Sequence, residues 1–269
     1  GLVQRRPHEK DRRANRVALL PVAKEKYEAI RDEALGLQSH VLEQLPEAER
    51  EKFLEQLETV AEACRGFGAD VSTATVDVAD RDTTAKWIKG IDADHPLDLV
   101  IANAGISSGS GGRGETETPA RDIFSVNLAG VLNTVWPAIT PMRERGQGQI
   151  AIISSIAAFR GLPGAPAYSA SKAAVKTYGE ALRGWLEPDG VKVSVVCPGF
   201  VRTRMTENNT YPMPFLIDAD KAARIIRRGL ERDKARIAFP WPMYAAAWFF
   251  GALPPGWTDW VFKKLPKKD

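Results

Sequence analysis

The sequence predicts an α/β fold: a mostly parallel sheet with helices on both faces, preceded by a β-hairpin and a two-helix module. Three observations lead there. From about residue 63, short apolar runs alternate with amphipathic ones, as strands and helices do in a covered parallel sheet. The strand runs are nearly continuous in apolar residues, so both their faces are buried. The first 62 residues follow another pattern, two β-prone runs and then long helical stripes. The chain has 269 residues, 44% hydrophobic and 26% charged. That suffices for a sizeable core and excludes collagen-like, disordered and disulfide-scaffold classes.

Taken in order, residues 1–6 and 16–21 flank a charged tip at residues 7–14, which reads as a hairpin. Residues 1–16 carry a local charge of +4. Tyr27, Ile30, Ala34, Leu37 and Val41 then recur at three- and four-residue steps, one apolar stripe on a helix. Pro46 interrupts it, and Phe53, Leu57, Val60 and Ala61 mark one face of a second helix. Stripes this regular need burial, against the following domain or against a second copy of the chain in a homodimer. Strands are expected at residues 71–78, 97–102, 149–154, 191–196 and 237–239. Helices are expected at residues 83–90, 119–142, 168–186 and 218–232.

The net charge of +3 is too small to argue for nucleic acid. Cys64 and Cys197, with His8, His40 and His95, stand too far apart for metal-ligand spacing, and two cysteines suit a reducing, cytoplasmic compartment. No signal peptide and no apolar run of about 20 residues is evident, so a spanning protein is not expected.

Chemistry concentrates late in the chain. Tyr168-Ser-Ala-Ser-Lys172 opens a helix, and the i, i+4 spacing puts phenol and ammonium on one face. A free phenol has a pKa near 10, and a lysine cation close by lowers it. Ser155 stands thirteen residues earlier, where strand 149–154 ends, at the sheet edge where open α/β folds bind ligands. Asn103-Ala104-Gly105 follows strand 97–102, and Asn127 lies inside the next helix. Pro198-Gly199-Phe200-Val201-Arg202-Thr203 follows strand 191–196, and Asp77 lies at the end of strand 71–78.

In this order and spacing the set closely resembles the short-chain dehydrogenase/reductase family over about residues 63–239. The resemblance implies a Rossmann-like sheet and hydride transfer, coupled to proton transfer, between a small-molecule alcohol and its carbonyl. Tyr168 would be the general acid/base and Ser155 would hydrogen-bond the substrate oxygen. Lys172 would tune the phenol and hold the nicotinamide ribose of NAD or NADP, and Asn127 would anchor a proton-relay water. Asn103, Ala104 and Gly105 would pass along the cofactor, Asp77 and Val78 would border its adenine, and Pro198, Gly199 and Thr203 would line its nicotinamide. The family's thirteen-residue spacing selects Ser155 over Ser154.

One family feature is missing, which makes the expected sheet a truncated one. The glycine-rich strand–turn–helix that receives the cofactor pyrophosphate has no counterpart here. Gly109 to Gly114 spell a literal G-x-G-x-x-G, but it follows its strand only after several loop residues, and no acidic residue lies about 20 positions on. In the place of that unit, residues 1–62 resemble the wing and dimerisation helices of a MarR-type winged-helix regulator. The DNA-reading helix of that family is absent, and a basic wing alone gives phosphate attraction without base readout, which argues against DNA as a partner.

Four of seven tryptophans, Trp241, Trp248, Trp257 and Trp260, fall in the last 30 residues, followed by Lys263, Lys264, Lys267 and Lys268. Aromatics beside lysines suit a peripheral membrane contact; a pocket lid or subunit contact is the plainer reading. The expected domains are thus 1–62, 63–239 and a 240–269 tail. The expected function is NAD(P)-dependent alcohol/carbonyl oxidoreduction. The alternatives are an inactive dimerising scaffold and a DNA-binding regulator fragment fused to a vestigial enzyme domain.

Overall fold

The computed structural model describes residues 3–8, 11–19, 58–59, 61–107, 115–203, 206 and 212–263. The chain divides into two units, Gly1–Asp77 and Val78–Asp269.

In the first unit, β1 (Val3–His8) and β2 (Asp11–Leu19) pair antiparallel, with Val3 opposite Leu19 and Pro7 opposite Asn15. The expected hairpin is present, but its strands run further into the charged segment than the side chains suggest. Once the register is set, each further residue adds backbone bonds whatever its side chain. Residues 61–66 are helical, and Arg65 pairs with Glu58 at 2.5 Å. The helical stripe expected from Tyr27 to Val41 lies outside the described residues, as do Phe53, Leu57 and Val60 of the second. The strand expected at residues 71–78 does not form; residues 69–77 take no regular structure. A strand needs a neighbour to satisfy its backbone donors and acceptors, and among the described residues no strand pairs with this segment.

The second unit begins with α1 (Arg81–Asp94), whose N-cap carboxylate, Asp80, accepts from the N–H groups of Asp82 and Thr83 at 3.0 and 3.1 Å. Next come β3 (Leu99–Ala102) and a helix in three parts: α2 (Glu117–Phe124), a π turn (Ser125–Ala129) and α3 (Gly130–Arg145). After β4 (Gly148–Ile153) follow a 3-10 turn (Ile156–Ala158), α4 (Pro166–Leu186) and β5 (Val191–Pro198). A short pair, β6 (Val201–Arg202) and β7 (Ile217–Asp218), leads to α5 (Ala219–Glu231) and β8 (Arg236–Phe239). The strands β3, β4, β5 and β8 form a parallel sheet in that order, with Val100 beside Ile150, Ile150 beside Val193 and Val196 beside Ile237. Residues 149–153 and 191–196 are therefore adjacent and parallel, as the sequence predicts.

Two cores flank the sheet. Ile150, Ile152 and Val193 pack with Val135, Ile139 and Met142 of α3 and Val175, Leu182 and Leu186 of α4. Ala151 and Val196 point the other way, onto Ala222 and Leu230 of α5. This is the two-residue alternation of a strand covered on both faces. Glu117–Arg145 is long and apolar enough by composition to cross a membrane, but its buried side, Val131, Val135, Ala138, Ile139 and Met142, makes it a core helix. Among the described residues β3 pairs only with β4, and its Leu99 and Ile101 are exposed. The chain closes with α6 (Trp241–Ala252) and α7 (Pro255–Phe262), where the sequence reading assigns no element.

Asp92 ties the start of the sheet together. Its carboxylate accepts from the Leu97 N–H at 2.9 Å and from both terminal nitrogens of Arg145 at 2.7 and 2.9 Å. The Arg145 bonds hold its carboxyl below the usual carboxylate range. Asp92→Asn keeps the acceptor for Leu97 but loses the bidentate charge pair, and is expected to destabilise the protein by about 2 kcal/mol in urea unfolding at pH 7. The stabilisation is present above the usual carboxylate range and is lost as pH falls through the depressed value, so the gap between wild type and variant closes in acid.

Candidate active site

The site is built on the seating of α4. Gly179 lies so close to the sheet that a Cβ there would meet Val195 Cγ2 at 2.6 Å and Ile152 Cδ1 at 3.1 Å. With the helix at that depth, two bonds fix its first turns. Ser154 Oγ donates to the Lys172 carbonyl at 2.7 Å, and Lys172 Nζ donates to the Ile153 carbonyl at 2.9 Å. Tyr168 is half-buried one turn before Lys172, and Lys172 Nζ lies 5.9 Å from the Tyr168 ring centroid.

The two neighbouring serines divide their work. Ser154 is buried and spent on the helix backbone. Ser155 is half-buried, and its Oγ accepts from the Ala157 N–H at 3.1 Å, capping the 3-10 turn.

Asn127 is fully buried in the π turn. Its Oδ1 accepts from the Ile106 N–H at 2.7 Å, and its Nδ2 donates to the Ile106 carbonyl at 2.9 Å and to Ser171 Oγ at 3.2 Å. The extra residue of a π turn re-aims the side chains around it, and here the amide clamps the loop after β3 to α4. On that loop a Cβ on Gly105 would lie 3.2 Å from Lys172 Nζ and 3.4 Å from Asn127 Oδ1. Gly105, Asn127, Tyr168 and Lys172 thus converge at the carboxyl end of the sheet, with Asn103 and Ala104 exposed on the same loop.

The remaining candidates are placed as follows. Pro198 ends β5, and the Gly199 N–H donates to the Phe239 carbonyl at 2.7 Å. A Cβ on Gly199 would stand 3.2 Å from Ile156 Cδ1, so Gly199 adjoins the turn that Ser155 caps. Thr203 is exposed, and its N–H donates to Thr206 Oγ1 at 2.9 Å. The Val78 carbonyl accepts from Asn133 Nδ2 at 2.8 Å, which holds residue 78 against α3. Asp77 falls in the first unit, and the strand expected to present it is not formed. Among the described residues, no group of three or more His, Cys, Asp or Glu side chains could hold a metal ion.

The sequence reading misses the supports. Phe159, just after the 3-10 turn, has both the Lys176 ammonium and the Arg236 guanidinium beside its ring, 5.2 and 5.4 Å from the centroid. Glu180 joins both cations, Lys176 at 3.1 Å and Arg236 by a short pair. Only the Lys176–Glu180 spacing is readable in sequence; Arg236 arrives from another strand. Ser171 is a further miss, since its role depends on a residue 44 positions away.

Electrostatics favour proton chemistry. Burial lowers the Lys172 ammonium to about 8 and pushes the Cys197 thiol up to about 11. At neutral pH Lys172 is still mainly a cation, poorly solvated and 5.9 Å from the Tyr168 ring centroid. Gly105 stands so close to Lys172 Nζ and Asn127 Oδ1 that a side chain there would crowd both, and the Lys172 ammonium has the donor chemistry to hold a ribose hydroxyl of a dinucleotide. No glycine turn for its pyrophosphate is present in the sequence.

Comparison with known proteins agrees with this geometry. A family model described as short chain dehydrogenase matches residues 49–213. A Myxococcus xanthus protein called an uncharacterized oxidoreductase is 35% identical over 213 residues, 79% of this chain and 84% of that protein. The apo form of LigD from Sphingobium sp. strain SYK-6 superposes with a TM-score of 0.61 at 24% identity, covering 79% of this chain and 83% of LigD. ElxO with NADP bound superposes at 0.58 and 23% identity, covering 67% and 83%. At such identities these two structures speak for the fold.

The buried ammonium has a measurable consequence. The Lys172 pKa is about 8 in the folded protein, against about 10.4 in an unfolded chain. Between those values the unfolded chain binds more protons, so this residue makes stability rise with pH across that window. From pH 8 to 10, the urea-unfolding free energy of wild type is therefore expected to gain on that of Lys172→Met by ~2–3 kcal/mol. A difference that stays flat would show that the ammonium is solvated.

Proposed function

We propose that this chain, which belongs to the short-chain dehydrogenase family, is an NAD(P)-dependent oxidoreductase of an alcohol/carbonyl pair. The observation that carries this reading is the buried Lys172 ammonium, tied to the Ile153 carbonyl and set beside Tyr168, Asn127 and Gly105. A surface Tyr-x-x-x-Lys pair has no reason to bury its lysine.

The roles are those that the family resemblance implies, and the surroundings support them. Tyr168 Oη exchanges a proton with the substrate oxygen, giving it up when a carbonyl is reduced and taking it when an alcohol is oxidised. Ser155, half-buried and held by the turn it caps, donates its hydroxyl proton to the same oxygen and orients it. Lys172 lowers the phenol's affinity for its proton and holds the cofactor ribose. Asn127 keeps the β3 loop and α4 at fixed separation and anchors the water through which the proton reaches solvent. Asn103, Ala104, Gly105, Pro198, Gly199 and Thr203 border the cofactor. The nicotinamide, when bound, donates or accepts the hydride. That ElxO has been solved with NADP supports this class of cofactor, and both NAD and NADP remain candidates.

A second reading, an inactive dimerising scaffold, has one observation in its favour: the sequence lacks the glycine turn that grips the pyrophosphate. Titration of NADH and NADPH, followed by nicotinamide fluorescence, separates the two. Binding of either cofactor is expected, and no binding at millimolar concentration would favour the scaffold. Where binding occurs, Tyr168→Phe is expected to abolish turnover while leaving cofactor affinity within about twofold, because removing one hydroxyl leaves the Lys172 and Asn127 contacts in place. A fully active Tyr168→Phe would remove Tyr168 from the mechanism.

A further inference from the structure

From Ile237 to Thr258 the chain carries no charged side chain, and within that stretch α6 has no buried residue. At about 100° per residue, Trp241, Trp248, Phe249 and Ala252 fall on one side of α6, and the three aromatics are 73%, 56% and 54% exposed. On α7, Trp257 and Trp260 are 72% and 65% exposed.

The other sides of both helices are committed to the protein. Tyr244 meets the Phe159 ring edge-on at 5.4 Å, and Phe250 meets Phe262 at 5.8 Å. Thr258 and Phe262 are buried. Arg160 pairs with Asp259 at 2.7 Å and lies 5.0 Å from the Phe262 ring centroid. The helices are thus docked by one face and show an aromatic face outward. A surface helix in water places charged and polar residues there. Within six residues of α7 follow Lys263, Lys264, Lys267 and Lys268.

We propose that α6, α7 and these lysines form an interfacial anchor, which lays the outer aromatic face into the headgroup region of an anionic bilayer. The twelve residues of α6 measure about 18 Å, short of a hydrocarbon core of about 30 Å, so the helix lies in the interface rather than crossing it. Tryptophan is the side chain enriched at that depth, and the adjoining lysines complement anionic headgroups. The charge that adjoins this face in sequence is entirely positive, which complements an anionic surface and favours a bilayer over a second, equally basic copy of the chain. The anchor does not depend on the redox reading, and its test reads binding alone.

The full chain is sedimented with vesicles of phosphatidylcholine, with and without phosphatidylglycerol. Binding is expected with phosphatidylglycerol present, weaker with phosphatidylcholine alone, and reduced by salt. Trp248→Ser combined with Trp257→Ser is expected to weaken binding to both vesicles by about tenfold or more. Lys263→Gln and Lys264→Gln should each weaken binding to the anionic vesicles alone, by about fivefold. Each variant is checked for cooperative thermal unfolding; if the tryptophan pair fails to fold, the lysine variants carry the test. Three results would overturn the anchor: no sedimentation with either vesicle, variants that bind like wild type, or a dimer that the tryptophan variant dissociates and vesicles do not compete with.

Discussion

The depth at which α4 rests on the sheet is the constraint on which the rest of the site depends. It is set where Gly179 offers no side chain to Val195 and Ile152. At that depth Lys172 reaches the Ile153 carbonyl, Ser154 reaches the Lys172 carbonyl, and Ser171 reaches Asn127. A turn further on, Lys176 and Glu180 of the same helix hold Phe159 and Arg236, and with them the segment that starts at Ser155. Raising the helix by the width of a methyl group would loosen every one of these contacts together.

Burying an ammonium is unfavourable, and the same helix supplies the compensation. Lowering a lysine from its usual value to about 8 corresponds to roughly 3 kcal/mol against the charged form. Val175, Leu182 and Leu186 of α4 are buried beside Val193 and Ile152, and each fully buried side chain of this size contributes roughly 1.5–3 kcal/mol. Three such anchors outweigh the lysine. The helix therefore stays seated while holding a poorly solvated cation one turn from Tyr168.

The two edges of the sheet contrast in a related way. At β8 the sheet is followed at once by α6, docked through Tyr244 and Phe250. At β3, which among the described residues pairs only with β4, the alternate side chains Leu99 and Ile101 are exposed on one face of the sheet. The candidate site is assembled from β4, β5 and α4 together with the loop after β3, which Asn127 of the π turn ties to α4.

The sequence by itself determined the features that rest on local periodicity and short spacing. The apolar runs at 149–154 and 191–196 were legible as buried strands, and the four-residue step from Tyr168 to Lys172 was legible as one helix face. Ser155 could be picked over Ser154 only through a family spacing; the tertiary structure adds that Ser154 Oγ is engaged with the Lys172 carbonyl. Residues 71–78 have the composition of a strand and form none, because a strand's stability comes from a neighbour and composition says nothing of whether one is there. The helices α6 and α7 escaped notice for the opposite reason. Apolar on nearly every side, they lack the polar–apolar contrast from which a helix is read, and only the fold shows which face is docked. The burial of Lys172, the π turn that aims Asn127 and the cation pair around Phe159 join residues distant in the chain. Their partners are chosen by how α4 packs on the sheet, and no local pattern encodes that choice.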